Sequence, residues 1–195
     1  MDERFEKQLR FLVEIDKMKT VLRQTVLVDK SRQENDAEHS WHFAVMAMIL
    51  YEYADASRVD LSRVLKMALV HDLIEIYAGD TAAFDEAGLA DKTEREEKAA
   101  DKLFGLLPPD QGEEIRSLWA EFDAMETPDA QYANAIDRLQ PFINDYMAEG
   151  LAWPPDRVTS EKLYQRLAVV RKSAPELWEF VEHVVEDSIK KGYII

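Results

Sequence analysis

At 195 residues and with no cysteine, the chain has the length for one hydrophobic core without disulfides, and any metal it binds must be held by imidazole and carboxylate rather than thiolate. Its 39 acidic and 24 basic residues give a formal charge of −15, which opposes duplex nucleic acid and anionic membrane as partners. No apolar run approaches membrane-span length and the first residues, MDERFEKQLRFLVEIDK, are charged throughout, so a soluble, unsecreted, cytoplasmic protein acting on a small molecule is expected.

Helical periodicity dominates and glycines number only 6, which predicts an all-α fold with strands absent or trivial. Phe5, Leu9, Leu12, Ile15, Met18 and Leu22 recur at three- and four-residue spacing and predict a first helix ending near Arg23. A polar connection, QTVLVDKSRQENDA, follows. The second helix is expected to start at Ala37 or Glu38 with Asp36 as its cap, burying Phe43, Met46, Ala47, Leu50 and Tyr53 and carrying His39 in its first turn. A third runs from the Asp60 cap through LSRVLKMALVHDLIEIY to Gly79, with a core face of Val64, Leu65, Ala68, Leu69 and Leu73. After the loop GDTAAFDEAGLAD comes a charged helix from about 91 to 106, stopped by Pro108-Pro109, and then helices near 110–126, 129–149, 158–172 and 175–190, with Trp153-Pro154-Pro155 marking a bend. No repeat or linker interrupts the chain, so it reads as one domain over 1–195.

The chemistry concentrates in His71-Asp72, set in the apolar run MALVHDLIEIYAGD, with His39 upstream in ENDAEHS and Asp137 downstream in NAIDRL. Polar side chains in such apolar sequence need a partner to offset desolvation, and one divalent cation can serve all four. Two imidazoles and two carboxylates suit Mn, Fe, Co, Ni or Zn and leave coordination positions free on a six-coordinate ion. Adjacent helical residues point about 100° apart, so His71 and Asp72 can share a metal only in a cleft between helices, with His39 and Asp137 supplied by neighbours. Glu75, three residues after Asp72, can face that cleft and move a proton. Arg23 and Arg32 are the phosphate candidates, because a guanidinium presents the forked donors that phosphate accepts.

The ordered set His39, His71-Asp72 and Asp137, within the strings RQENDAEHSWH, HDLIEIYAGDT and NAIDRLQ, resembles the signature of the HD-domain metal-dependent phosphohydrolases, in the branch of the 5′-deoxynucleotidases. The match covers roughly 9 to 150, the helices over 158–190 packing on that core. The resemblance implies a helical HD bundle, a divalent metal (Mn, Co, Fe, Ni, Zn or Mg), homodimerisation, and removal of phosphate from nucleoside or deoxynucleoside 5′-monophosphates. It places metal ligands at His39, His71, Asp72 and Asp137, an acid near the attacking water at Glu75, and a substrate-orienting or proton-transferring acid at Asp80. Where such relatives carry a tryptophan against the sugar, this chain has Gln24, so the expected substrates include ribose and deoxyribose forms alike. With no histidine between 73 and 182, a single metal is expected.

Blander readings compete at each position. A lone buried histidine is more often a hydrogen-bonded core residue than a ligand; four ordered residues with Glu75 and Asp80 reverse that for His71. His42 reads as packing, His183 as surface, Arg138 as pairing with a carboxylate, and Trp119, Phe122, Phe142 and Tyr146 as core or dimer contact. Gly79-Asp80-Thr81 is also ordinary helix-exit chemistry, Arg23 also complements a helix end, and Arg32 also fits an exposed loop. The rival to an enzyme is a non-catalytic nucleotide or metal sensor, which binds without turnover; an acidic helical adaptor would hold no metal at all.

Overall fold

The computed structural model describes residues 2–81, 88, 90–154 and 158–195. Helix α1 (Glu3–Glu14) is capped by the Asp2 carboxylate, which accepts from the Arg4 N–H. It does not continue to Arg23. The chain tightens into a 3₁₀ segment over Ile15–Thr20, and Val21 is extended. Val21, Thr25 and Val26 are stiff at χ1 and favour extended backbone, so the expected polar connection is instead a two-stranded antiparallel ribbon. In it, β1 (Leu22–Val26) pairs with β2 (Gln33–Asn35), Leu22 opposite Asn35 and Val26 opposite Gln33. Arg23 therefore projects from a strand and not from a helix end.

Helix α2 (Asp36–Ile49) begins with a capping box: Asn35 accepts from the Glu38 N–H and Glu38 accepts from the Asn35 N–H. Asn35, not Asp36, is the cap, which leaves the Asp36 carboxylate free to point inward, fully buried. Asp60 caps α3 (Leu61–Val70) as expected. The long third helix does not run unbroken to Gly79, because α3 ends at Val70 and α4 is only Glu75–Ala78. Between them the hydrogen bonds reach three residues back, from Leu73 N to Val70 O, Glu75 N to Asp72 O and Ile76 N to Leu73 O. Such a 3₁₀ turn eclipses residues three apart, which stacks Glu75 on Asp72. Within α3 the buried face is Val64, Met67 and Ala68, so Leu69, expected in the core, is 58% exposed.

The charged helix α5 (Lys92–Phe104) and helices α6 (Pro109–Ala124), α7 (Pro128–Met147), α8 (Ser160–Ser173) and α9 (Trp178–Lys191) follow close to their expected positions. Loop residues 82–87 and 89, and Pro155 of the bend, lie outside the described residues. Apart from the ribbon the fold is all-α. Helix α7 is its centre: Ala130, Tyr132, Ala133, Ala135 and Ile136 have no exposed surface, and they pack in one cluster with Phe43 of α2, Met67 of α3 and Leu167 of α8. Each large apolar side chain so buried stabilises by roughly 1.5–3 kcal/mol before entropy. The buried Tyr132 hydroxyl donates to the Ala47 carbonyl, which holds α7 on α2. A smaller cluster, with Phe11, Leu73, Leu103 and Trp119, fastens α1 and α5 to the turn that carries His71. Trp119 is core, 6% exposed. No helix among the described residues is long and apolar enough to cross a membrane.

Candidate metal centre and adjoining pocket

The first turn of α2, the turn after α3, the middle of α7 and the ribbon converge on one buried cluster. His39 is fully buried, with Nδ1 2.7 Å from Gln140 Oε1 and Nε2 2.9 Å from Asp137 Oδ1. His71 has Nδ1 3.0 Å from the Ala68 carbonyl, and its Nε2 lies 3.1 Å from Asp72 Oδ2 and 3.5 Å from Asp137 Oδ1. A ligand atom from each of His39, His71 and Asp72 falls within 4.8 Å of the others.

The hydrogen-bond pattern fixes what these atoms are. The Gln140 amide donates to Glu34, so its oxygen accepts from His39 Nδ1–H; the Ala68 carbonyl likewise accepts from His71 Nδ1–H. In the neutral rings both Nε2 lone pairs then face carboxylate oxygens, and His71 Nε2 has no hydrogen-bond partner. Acceptors this close need a cation between them, and the donor set suits a divalent ion, with each ring oriented by the partner of its other nitrogen. A proton is the smallest cation that serves: burial opposes it, but Asp72 and Asp137 hold the His71 pKa up at about 10. Burial and the charge of Arg23 keep His39 low. Against the effect of burial, the histidines hold Asp72 and Asp137 below the usual carboxylate range, with Arg23 assisting at Asp72.

Asp72 also belongs to a second group. Carboxylate oxygens of Asp36, Asp72 and Glu75 lie within 4.8 Å of one another. Here burial dominates and the neighbouring negative charges add to it, so Asp36 rises to about 7 and Glu75 well above its ordinary value. Glu34, buried beside Gln140, rises to about 7 mainly through burial. Arg23 is the cation among them: Nη1 donates to Asp72 at 2.7 Å and to Asp36 at 3.4 Å, and Nε stands 3.8 Å from Glu34. Phe43 and Phe122 close the apolar side, their rings centred 5.3 and 4.8 Å from that of His71.

Beside the cluster opens a pocket of about 690 Å³, its open mouth included. Arg23, Gln24, Thr25, Asp80, Thr81, Phe142, Asp145, Trp153, Leu163 and Leu167 line it, with Arg138 and Arg166 also on its wall. Asp80 follows Gly79, whose φ is 76°, and burial raises its pKa while Arg23 opposes that rise. Pro141 breaks the ladder of α7 one turn after Asp137: it has no N–H to give the Asp137 carbonyl.

Of the residues expected from sequence, His39, His71, Asp72 and Asp137 meet in one cluster, with Glu75 against Asp72 and Asp80 in the pocket. Arg23 joins them. Arg32 does not: it is exposed and ion-paired to Glu38 at 2.6 and 2.8 Å. Arg138 pairs with no carboxylate but donates to the Arg166 carbonyl at 2.8 Å, and the Arg166 guanidinium has no hydrogen-bond or ion-pair partner among the described residues. Sequence reasoning missed Asp36, Glu34, Gln140, Asp145, Trp153 and Arg166. Gln140 carried a findable signal, three residues after Asp137 and so on the same helix face; Arg166 and Asp145 sit in ordinary amphipathic helices and carried none.

A sequence model of the HD domain matches residues 15–178. Among curated proteins, the 5′-deoxynucleotidase HDDC2 of Homo sapiens is 30% identical over 151 residues, covering 77% of this chain and 72% of the relative. A crystal structure titled as a predicted metal-dependent phosphohydrolase from Magnetospirillum magnetotacticum MS-1 is 50% identical, covers 98% of this chain and 95% of that one, and superposes with a TM-score of 0.92. An HD-domain phosphohydrolase from Listeria innocua, 18% identical with a TM-score of 0.67 over 95% of this chain and 92% of that one, shares the fold.

Proposed function

This chain belongs to the HD-domain family, and from that premise we propose that it is a metal-dependent phosphohydrolase converting nucleoside or deoxynucleoside 5′-monophosphates to nucleoside and phosphate. The observation that carries the reading is the convergence of two imidazole Nε2 atoms on Asp72 and Asp137 beside a pocket walled by arginines. His39, His71, Asp72 and Asp137 would hold one divalent ion, drawn from Mn, Co, Fe, Ni, Zn or Mg. Such an ion supplies Lewis-acid polarisation of a phosphoryl oxygen and makes water a better nucleophile at neutral pH.

The chain's own residues do the rest. Arg23, beside Asp72, and Arg166, whose guanidinium has no partner among the described residues, offer charge to the phosphate dianion. Arg32 can join them only by releasing Glu38. Hydrolysis forms a bond from water oxygen to phosphorus, breaks the bond from phosphorus to the 5′-oxygen, and requires one proton to leave the water and one to reach the departing oxygen. Glu75, stacked on Asp72, and Asp80, on the pocket side, are the two acids placed to exchange these protons. The water-poor setting that raises both acids brings them nearer the working pH.

The proposal takes the chain as a single domain, because α8 contributes Leu163, Arg166 and Leu167 to the pocket. It also takes it as a cytoplasmic homodimer: cysteine-free sequence suits a reducing compartment, and Trp41, Val45, Met48 and Ile49 form an exposed apolar stripe along α2. Phosphate release from a panel of 5′-monophosphates, with Mn²⁺, Co²⁺, Mg²⁺ or Ni²⁺ and after chelation, tests the activity. Release that scales with enzyme and stops on chelation is expected; tight nucleotide binding with no release under any metal would make the protein a sensor instead.

A further inference from the structure

Asp137, Pro141 and Asp145 follow one another at four-residue intervals on α7 and so share a face. Asp145 thus lies two turns from the proposed ligand, about 12 Å along the axis at ~1.5 Å per residue, roughly the span from a nucleotide's phosphorus to the far part of its nucleoside. Phe142, Trp153, Leu163 and Leu167 line the same pocket and offer apolar surface suited to a flat ring. The Trp153 side chain, on the same pocket wall, favours the charged form of the Asp145 carboxylate. One carboxylate oxygen, Oδ1, is buried with no hydrogen-bond partner, and the residue is only 7% exposed.

A buried acceptor left unpaired is costly, and such groups are ordinarily satisfied by protein, water or ligand. A cationic ligand is disfavoured, because Arg23 and Arg166 stand on the same pocket. The partner that fits is a neutral N–H or O–H. We propose that Asp145 is a specificity-determining residue, accepting a hydrogen bond from a donor on the nucleoside half of the substrate, the amino group of a base or a hydroxyl of the sugar. Trp153 acts as a positioning residue, supplying ring surface and an indole N–H that favours the charged carboxylate. This inference rests on the phosphohydrolase reading above.

The test compares kcat/KM, with Mn²⁺, for substrates differing by one donor. Adenosine against purine riboside 5′-monophosphate removes the base amino group; adenosine against its 2′-deoxy and 3′-deoxy 5′-monophosphates removes a sugar hydroxyl. The native protein is expected to favour the donor-bearing member of one comparison by about tenfold or more, and that comparison identifies the donor. Asp145→Leu should abolish the preference while leaving kcat/KM for the donor-lacking member within about threefold. Trp153→Phe, which keeps a ring and removes the N–H, should reduce the same preference and serves if Asp145→Leu does not fold. No preference in the native protein, or equal losses for both members of every pair in the variants, overturns the proposal. Calorimetric binding of adenosine, its deoxy forms and purine riboside to chelated protein reads the same discrimination without turnover. Discrimination in binding with no phosphate release under any metal would remove the phosphohydrolase reading and leave Asp145's role standing.

Discussion

Two groups of carboxylates meet at Asp72 and behave in opposite ways. On one side Asp72 and Asp137 face His39 and His71 and are held ionised, well below the ordinary carboxylate range. On the other, Asp36 and Glu75 face each other and the same Asp72, and both are pushed toward the neutral form. Burial is shared, so it is not what separates them. The difference is which side holds the imidazoles: facing them a buried carboxylate stays charged, whereas Arg23, shared with Asp72 and Glu34, does not offset burial and like charge at Asp36 and Glu75. One side is thus a place for a metal and the other a store of protons, a few ångströms apart.

Asp72→Asn breaks the comparison at its shared member and should have the largest effect. It removes a proposed ligand, the acceptor of Arg23 and the charge that raises Glu75. Expected are loss of bound metal by elemental analysis and a fall in kcat on the order of a thousandfold. Full metal content with full activity would dissolve the proposed centre. Glu75→Gln alters the proton side alone: metal content should persist while kcat falls about a hundredfold, and one limb of the pH–rate profile should disappear. If metal is lost as well, Glu75 is a ligand and the two groups are one.

The pH dependence of the metal-free protein sharpens the same contrast. Asp36, Glu34 and Asp145 are each raised to about 7, chiefly by burial. Between about pH 4 and 7 the folded chain keeps protons that the unfolded chain has lost, so their contribution falls as pH rises through that window. Asp72 and Asp137, being lowered, contribute the other way, with stability present above the ordinary carboxylate pKa and lost in acid. The melting temperature of chelated protein should therefore drop by several degrees from about pH 5 to about pH 8, at roughly 2–4 °C per kcal/mol for a chain of this size. Mn²⁺ should restore most of that drop, because it binds the folded state only. A flat profile would mean that Asp36 and Glu34 are ionised throughout.

How legible this was from sequence depends on whether a residue's role is local. His71-Asp72 stood out because charge in an apolar run is costly wherever the run packs, and the amphipathic helices α5 to α9 were readable because their apolar spacing is their reason for folding. Leu69 misled because the buried face of α3 is Val64, Met67 and Ala68; beyond Val70, periodicity assumes one helical pitch, whereas hydrogen bonds from Leu73, Glu75 and Ile76 reach only three residues back. Asp36 looked like a cap until Asn35 took that role. Arg166 and Asp145 were invisible because nothing near them in the chain distinguishes them; only the packing of α8 against α7 places them on one pocket.

The smallest effect is expected at Arg32, which the sequence groups with Arg23 and the fold separates from it. Its guanidinium makes a two-pronged contact with Glu38 at the surface, where such pairs contribute little, and Glu38 would still accept from the Asn35 N–H without it. Arg32→Ala should leave the melting temperature unchanged within error and lower kcat/KM by no more than about threefold, a loss far short of that for a charge-assisted contact to phosphate. Arg23→Ala, which strips the cation from three buried carboxylates, should cost both metal-free stability and turnover. A fall beyond about tenfold for Arg32→Ala would mean that this guanidinium leaves Glu38 and turns inward with the ribbon when substrate binds, and that the working site has two arginines from the ribbon where the resting one has Arg23 alone.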